Sequence, residues 1–363
     1  MEIFATAPPG LEPWLAAEAE ALGFAPVCAL PGGVSFAGGW PEVWRANLWL
    51  RGAGRVLVRL GAFRALHLAQ LDRRSRRFDW GVFAPGVPIR VEARCQASRI
   101  YHAGAAAQRI AGALEAAGLT VADDGAVTLK VRIDDDLCTL SLDTSGEPLH
   151  RRGAKQAVAK APLRETLAAL FLRACGYDGF EPVVDPMCGS GSFVLEAAEI
   201  AAGLAPGRAR PFAFERLASF DAAALAGMRA EGMGPVSGPP RHHGSDRDQG
   251  AIAMAGANAE RAGVAPLIRF HRAAISDLQP PEGPAGLVMV NPPYGARIGN
   301  RKLLFALYAS LGTVLKTRFA GWRVGLITSD AGLARATGLP FLPPGPPVPH
   351  GGLSIRLYRT GAL

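Results

Sequence analysis

In the stretch GLVMVNPPYG the apolar run Gly286–Val290 meets Asn291, Pro292, Pro293 and Tyr294, which join a side-chain amide to two prolines and an aromatic ring. A residue before proline is pushed toward extended geometry, and each proline fixes φ and lacks an N–H. The Asn291 side-chain oxygen and the Pro292 carbonyl therefore form a rigid pair of acceptors suited to the two hydrogens of a planar exocyclic amine. Holding those hydrogens leaves the nitrogen lone pair free to attack an electrophilic methyl group. Tyr294 offers a face for a flat base or amide, and such stacking is worth about 1–3 kcal/mol per base. A strand that merely ends in a proline turn would carry the same letters, so the tetrapeptide needs a second site beside it.

That second site begins at VVDPMCGSGSF. A strand ends at Asp185, and Gly189 and Gly191 lie in the turn that opens the next helix, where small residues let a ligand approach the backbone. The residue three after Gly191 is Val194, so the dinucleotide pattern Gly-x-Gly-x-x-Gly is absent, and so is the lysine of a phosphate loop. Asp185 would repel a phosphate and suit an ammonium group. At the next strand end, HHGSDRD, Asp246 stands where an acid hydrogen-bonds a ribose diol, although it would also serve as the N-cap of the following helix. Strand, acid, glycine turn, helix, strand and acid in that order describe a pocket for an amino acid joined to a nucleoside, which is S-adenosylmethionine.

Positioning these groups requires a particular framework. After residue 150, segments read as strands (EPVVD, RHHGSD, LIRFHRAAI, GLVMV, WRVGLITSD) alternate with helical stretches (GSFVLEAAEIAAG, QGAIAMAGANAERAG, RKLLFALYASLGTVLKTRF), which predicts an α/β doubly wound parallel sheet binding its ligand at the carboxyl ends of the strands. The C-terminal LSIRLYRT is expected as its antiparallel edge strand. Before residue 150, short alternating or β-branched runs separated by helices predict an α+β region. The polar, basic segment between the two reads as a linker.

These residues carry a resemblance. DPMCGSGSF, GSDRD and NPPYGARIG look like motifs of class I methyltransferases that modify amino groups. LHRRGAKQAVAKAPLRETLAALFL and MEIFATAPPGLEPWLAAEAEALG extend the likeness over nearly the whole chain, which resembles the THUMP-containing guanine-N2 RNA methyltransferases, above all those of bacterial large-subunit (23S) ribosomal RNA. The resemblance implies a ferredoxin-like segment over 1–55, a THUMP RNA-binding domain over 56–147, a linker over 148–165 and a Rossmann-like S-adenosyl-L-methionine-dependent methyltransferase domain over 166–363. It implies that Thr166, Asp185, Met187, Gly189, Ser190, Gly191, Asp246 and Arg247 contact the cofactor, and that Asn291, Pro292, Pro293 and Tyr294 are catalytic. The acid that usually holds the adenine amino group is replaced by Ala274, with Asp277 three residues late, so a main-chain contact is expected there. RNA is the implied partner, with ribosomal RNA ahead of transfer RNA and a monomer favoured. A protein glutamine-N5 methyltransferase, a DNA adenine-N6 methyltransferase and a non-catalytic RNA-binding protein are the competing readings.

Charge agrees with a polyanionic partner. The chain carries a net charge of +8 over 363 residues, and Arg51 to Arg77 holds eight arginines against the single acid Asp72. Each cation that neutralises a phosphate releases counterions. Arg73, Arg74, Arg76 and Arg77 would equally form a solvated surface, and Trp80 and Tyr101 nearby would either stack on bases or pack inside. Five scattered cysteines without a Cys-x-x-Cys pair support neither a disulfide framework nor a zinc site, so no metal is expected. His242 and His243, as neighbours on a strand, point to opposite faces and read as structural, and Cys188 reads as a small packing residue. No run of about 18 apolar residues would span a membrane, and the N-terminus lacks the pattern of a signal peptide, so a cytoplasmic protein is expected.

Overall fold

The computed structural model describes residues 1–155, 163–234, 236–294 and 301–363. It divides into two compact units, one of Met1–Thr6, Ala16–Leu149 and Ala209–Arg229, the other of Ala7–Leu15, His150–Arg208 and Ala230–Leu363. The expected linker 148–165 includes 156–162, which lie outside the described residues.

The first unit is built on one seven-stranded sheet. Its strands are β1 (Glu2–Thr6), β2 (Cys28–Leu30), β3 (Gly33–Ala37), β4 (Val56–Arg64), β5 (Ile89–Gln96), β6 (Val127–Asp134) and β7 (Leu137–Asp143), in the order β2-β3-β1-β4-β7-β6-β5. All neighbours are antiparallel except β5 and β6. Strand β6 shows why the residues choose this state: in VTLKVRID the residues Val127, Leu129, Val131 and Ile133 are buried while those between them are not, the period of a sheet with one dry face. Strand β4 opens the second segment expected from the sequence and pairs with β1 of the first, so the two segments share a single sheet. Helices α1 (Glu12–Ala21), α2 (Trp40–Trp49), α3 (Leu68–Ser75) and α4 (Ala103–Ala116) alternate with these strands, and the unit boundary falls within α1. A helix from far downstream, Ala222–Glu231, starts in this unit.

The second unit is the doubly wound layer. From Glu165 onward the chain order is α5 (Glu165–Ala174), β8 (Val183–Asp185), α6 (Ser192–Ala201), α7 (the Ala222–Glu231 helix, which belongs to the first unit as far as Arg229), β9 (His242–Asp246), α8 (Gln249–Ala262), β10 (Ile268–Arg272), β11 (Leu287–Val290), α9 (Arg301–Arg318), β12 (Arg323–Thr328), α10 (Ala331–Ala336), β13 (Val348–His350) and β14 (Leu353–Arg359). The strand order is β10-β9-β8-β11-β12-β14-β13, with β10 to β12 parallel. Strand β14 pairs antiparallel with β12 as expected, but β13 covers its far side, so β14 is not the edge. The edge is made by the hairpin VPHGGL, which proline and glycine content had disguised as loop.

The chain winds from β8 out to β10 and then returns across β8 to lay down β11. The point where the winding reverses therefore lies between β8 and β11, the place where such sheets bind ligands. Both strands are wholly buried, VVD and LVMV, as strands covered on both faces must be. On α9 the residues Leu304, Tyr308, Leu311 and Leu315, with Phe319 just beyond its end, recur at helical spacing and pack with Val184, Val288, Val290, Val324 and Leu326. A second cluster joins α6 to α8 through Val194, Leu195, Ala198, Ala259 and Ala262. No helix among the described residues is long and apolar enough to cross a membrane.

Candidate active site

Three parallel strands deliver the site. Asp185 ends β8, Asp246 ends β9 on one side of it, and Asn291 follows β11 on the other. The turn after β8 is tied to β9 twice: the Cys188 N–H donates to the Ser245 carbonyl at 2.9 Å, and the Gly189 N–H donates to Asp246 Oδ2 at 3.1 Å. Gly189 and Gly191 both have positive φ, +52° and +89°, which L side chains rarely adopt, and Gly191 is the N-cap of α6. A Cβ at Gly189 would meet nothing within 4 Å, so the turn presents open space on that side.

Asp185 is 3% exposed and its Oδ1 accepts from the Met187 N–H at 3.1 Å. Burial pushes its carboxyl up to about 8, against the pull of that amide, and the charge of Asp246 adds to the rise. A buried carboxyl with one amide donor and no basic partner among the described residues is a site made for a cation. Asp246 has its other oxygen engaged too, Oδ1 accepting from the Asp248 N–H at 3.0 Å. The helix N-cap is Asp248, which accepts from Gly250 N–H at 2.8 Å, so the capping alternative for Asp246 passes to its neighbour. A carboxylate has about four lone-pair sites, so two amide donors leave room for a diol.

The remaining sequence-derived residues divide by exposure. Ser190 is buried and its carbonyl accepts from Asn258 Nδ2 at 3.1 Å. Thr166 is buried in the first turn of α5. Met187 packs against the α9 cluster. Arg247 is exposed, its carbonyl accepting from Arg272 Nε at 3.1 Å. Ala274 precedes a 3-10 turn, Ile275–Asp277, in which the exposed Asp277 accepts from the Ser276 hydroxyl at 3.2 Å.

Asn291 carries the most informative defect. Its Oδ1 is buried with no hydrogen-bond partner among the described residues. Leaving a buried acceptor unsatisfied costs about 1–3 kcal/mol, a cost expected where a ligand is to supply the donor. Pro292 is buried behind it, and the Pro293 carbonyl accepts from the Tyr308 hydroxyl at 3.3 Å. Burial pushes the Tyr294 phenol up to about 12, so its ring stays neutral. The GARIG continuation of the motif, 295–299, lies outside the described residues.

Two residues that the sequence did not single out complete the arrangement. Asn258 is fully buried on the face of α8 that carries Ala251, Ala255, Ala259 and Ala262, and a lone amide on an alanine stripe is a signal that was available. Tyr308 is fully buried beneath the tetrapeptide, and its position on the apolar face of α9 hides it among core residues. The smaller readings also resolve. His242 is buried and its Nδ1 accepts from Val183 N–H at 3.3 Å, while burial pushes its imidazole down to about 3, so it is neutral and structural. Cys188 is buried and its thiol is pushed up by burial, which fits packing. No group of metal-ligating side chains is present among the described residues.

A cavity of about 330 Å³ in the second unit lies elsewhere, around Leu287 and Val324 near the amino ends of β11 and β12. Its Arg323 and Arg359 donate to the Cys175 and Ala174 carbonyls at the end of α5, and Arg323 pairs with Glu181, so these cations serve a helix terminus.

In the first unit Arg73, Arg74, Arg76 and Arg77 are all exposed, at the end of α3 and just beyond it. Trp80 is buried and its Nε1 donates to the Ser75 carbonyl at 3.1 Å, whereas Tyr101 is 85% exposed. The packing role therefore belongs to the tryptophan, and of the two rings only the tyrosine faces solvent.

Residues 152–339 match a family described as "RMKL-like, methyltransferase domain", and residues 2–57 match "RlmL ferredoxin-like domain". A relative from Syntrophotalea carbinolica, "Ribosomal RNA large subunit methyltransferase K/L", is 38% identical over 93% of this chain but only 50% of its own length, so the chain spans about half of that protein. A Synechocystis protein, "Putative RNA methyltransferase slr0064", is 32% identical over 98% of this chain and 95% of its own. Among solved structures, "SMU.472, a putative methyltransferase complexed with SAH" superposes with a TM-score of 0.88 at 25% identity, covering 100% of this chain and 98% of that one.

Proposed function

The chain belongs to the RMKL-like methyltransferase family, and from that premise we propose that it transfers a methyl group from S-adenosylmethionine to the exocyclic N2 amine of a guanine in large-subunit (23S) ribosomal RNA. The observation that carries the reading is the buried Asn291 Oδ1, without a hydrogen-bond partner among the described residues and one strand away from the glycine turn and the buried Asp185. The name of the Syntrophotalea relative supports the substrate, and the SAH in the related structure supports the cofactor.

The residues present fit that cofactor. Asp185 would take the ammonium of its methionine portion, the open side of Gly189 would admit its chain, and Asp246 would take the ribose diol. When bound, S-adenosylmethionine supplies a methyl carbon made electrophilic by a sulfonium. Asn291 Oδ1 and the Pro292 carbonyl would accept the two amine hydrogens and aim the lone pair, while the neutral Tyr294 ring stacks on the base. The N–C bond forms as the S–C bond breaks, and the methylated nitrogen then gives its proton to solvent. No base of shifted pKa is required, because the amine gives up its proton only after it has been methylated.

A guanine in paired RNA must be extruded to reach Tyr294, at a cost of a few kcal/mol, and a basic module with exposed arginines supplies contacts remote from the reacting atom to offset it. The test is methyl transfer from labelled S-adenosylmethionine to total RNA by the wild-type chain and Asn291→Ala, with nucleoside mass analysis and size separation. Label in large-subunit RNA as N2-methylguanosine, lowered about 100-fold or more by Asn291→Ala, is the expected outcome. Unlabelled RNA with normal cofactor binding would reject the acceptor.

A further inference from the structure

We propose that Tyr308 is a positioning residue for methyl transfer, holding the catalytic tetrapeptide through a hydrogen-bond chain that starts at the end of β12. The inference rests on the methyl-transfer reading above and deepens it. Two links of that hydrogen-bond chain are geometric: the Tyr308 hydroxyl donates to the Pro293 carbonyl at 3.3 Å, and the Asp330 N–H donates to Thr328 Oγ1 at 3.2 Å. Between them, Thr328 lies close enough to the Tyr308 phenol to act on its ionisation. Asp330 is itself fixed as the N-cap of α10, accepting from Gly332 N–H at 2.7 Å.

The two hydroxyl-bearing residues are buried and their outer partners half-buried: Tyr308 and Thr328 are both 0% exposed, so water has little access to their hydroxyls. A buried phenol that can be satisfied in only this way is costly unless it orders something, and here it orders a carbonyl of a segment with no ladder partner of its own. The Pro293 carbonyl belongs to the peptide that carries Tyr294, so fixing it fixes the plane from which the Tyr294 ring projects. The rigid prolines then pass the same constraint back to the Pro292 carbonyl, one of the two proposed acceptors. Burial also keeps the Tyr308 phenol protonated, as a donor must be. Three elements, α9, β12 and α10, thus converge on a tetrapeptide that β11 alone would leave loosely held.

The experiment compares wild type, Tyr308→Phe, Thr328→Val and the double variant for kcat, for KM of both substrates and for melting temperature. Tyr308→Phe keeps the ring and removes only the donor, so kcat should fall at least about tenfold, as expected when a reacting group is misplaced by a fraction of an ångström. KM values should stay within about threefold, because no side chain assigned to either substrate is removed. Thr328→Val should lower kcat less, and the double variant should be no worse than Tyr308→Phe, because both act through one chain. A kcat of Tyr308→Phe within about twofold of wild type, a loss carried by KM, or strictly additive losses would overturn the inference. If Tyr308→Phe fails to fold, Thr328→Val decides on the same criteria. A second readout needs no RNA: the fluorine resonance of 3-fluorotyrosine placed at position 294 should shift or broaden in Tyr308→Phe, and an unchanged line rejects the inference. Loss of label in wild type, by contrast, would reject the methyl-transfer reading while this resonance still reports on Tyr308.

Discussion

Asp246 Oδ2 accepts from the Gly189 N–H at 3.1 Å, so the acid that ends β9 holds the turn that leaves β8. Asp246, the proposed ribose partner, is thus also a strut for the turn after β8. Asp248, two residues on, turns its side chain to the cap of α8 instead. The two acids therefore make an internal control. Asp246→Ala should weaken S-adenosylmethionine binding by about 10- to 100-fold, the range for losing hydrogen bonds to a charged group. Asp248→Ala should lower stability by about 1 kcal/mol, the usual worth of an N-cap, with affinity close to wild type. Calorimetry and melting curves on both variants check the contrast.

The same added methyl should have different effects at two glycines. At Gly191, φ is +89° and a Cβ would lie 3.2 Å from Leu195 and 3.3 Å from Ala255, so Gly191→Ala should act on the fold. At Gly189 φ is +52° and nothing lies within 4 Å, so Gly189→Ala suffers only the left-handed penalty of about 1–2 kcal/mol. Its methyl would project into the space assigned to the cofactor, and affinity should fall further than stability. Equal losses of affinity and melting temperature at Gly189 would mean that no ligand occupies that space.

How far the sequence reached is clear from particular residues. Asp185 and Asn291 were legible because each closes an apolar run that reads as a buried strand, and Asp246 because it closes the next segment in the alternation of strands and helices; a parallel sheet puts such ends together. Glycine spacing exposed the turn for the same local reason. Tyr308 was not legible, because its partner Pro293 lies 15 residues away and nothing local distinguishes a core residue that supports a loop from one that fills space; Asn258, whose partner Ser190 lies 68 residues away, left only its lone amide on an alanine stripe as a local trace. The pairing of β4 with β1 was hidden likewise, since register between segments is set by tertiary contact. The misjudged edge at β13 arose because its proline and glycines read as loop, although edge strands accept proline.

Asp185 gives a pH signature. Its carboxyl is pushed up to about 8, against about 3.9 in an unfolded chain, so the folded state keeps a proton that the unfolded state releases between these values. The sign follows: this group's contribution to stability is complete below about pH 4 and is lost as pH rises through 8. An ammonium group binding beside it favours the carboxylate. S-adenosylmethionine binding should therefore release protons near neutral pH and tighten by up to about tenfold per pH unit below 8. Calorimetry in buffers of different ionisation enthalpy measures the release directly. Asp185→Asn should abolish it, and release unchanged in that variant would move the cation site elsewhere.

The arginines beyond α3 decide how the first unit meets a polyanion. Arg73, Arg74, Arg76 and Arg77 are exposed, and among the described residues only Arg76 of the four pairs with an acid, Asp72 at 3.0 Å, a surface pair worth about 0.3–0.5 kcal/mol. The fold therefore draws little on their charge, and replacing all four with alanine should leave the melting temperature within about 2 °C of wild type. If they hold phosphates, the slope of log affinity against log salt should flatten by about 0.7–0.9 for each phosphate no longer neutralised. Tyr101→Ala should weaken binding by about 1–3 kcal/mol without changing that slope, because stacking releases no counterions. Trp80→Ala should instead lower stability, its ring being core and its indole bonded to Ser75. RNA binding with the wild-type salt slope in the four-alanine chain would place the phosphate-binding groups on another face of the molecule.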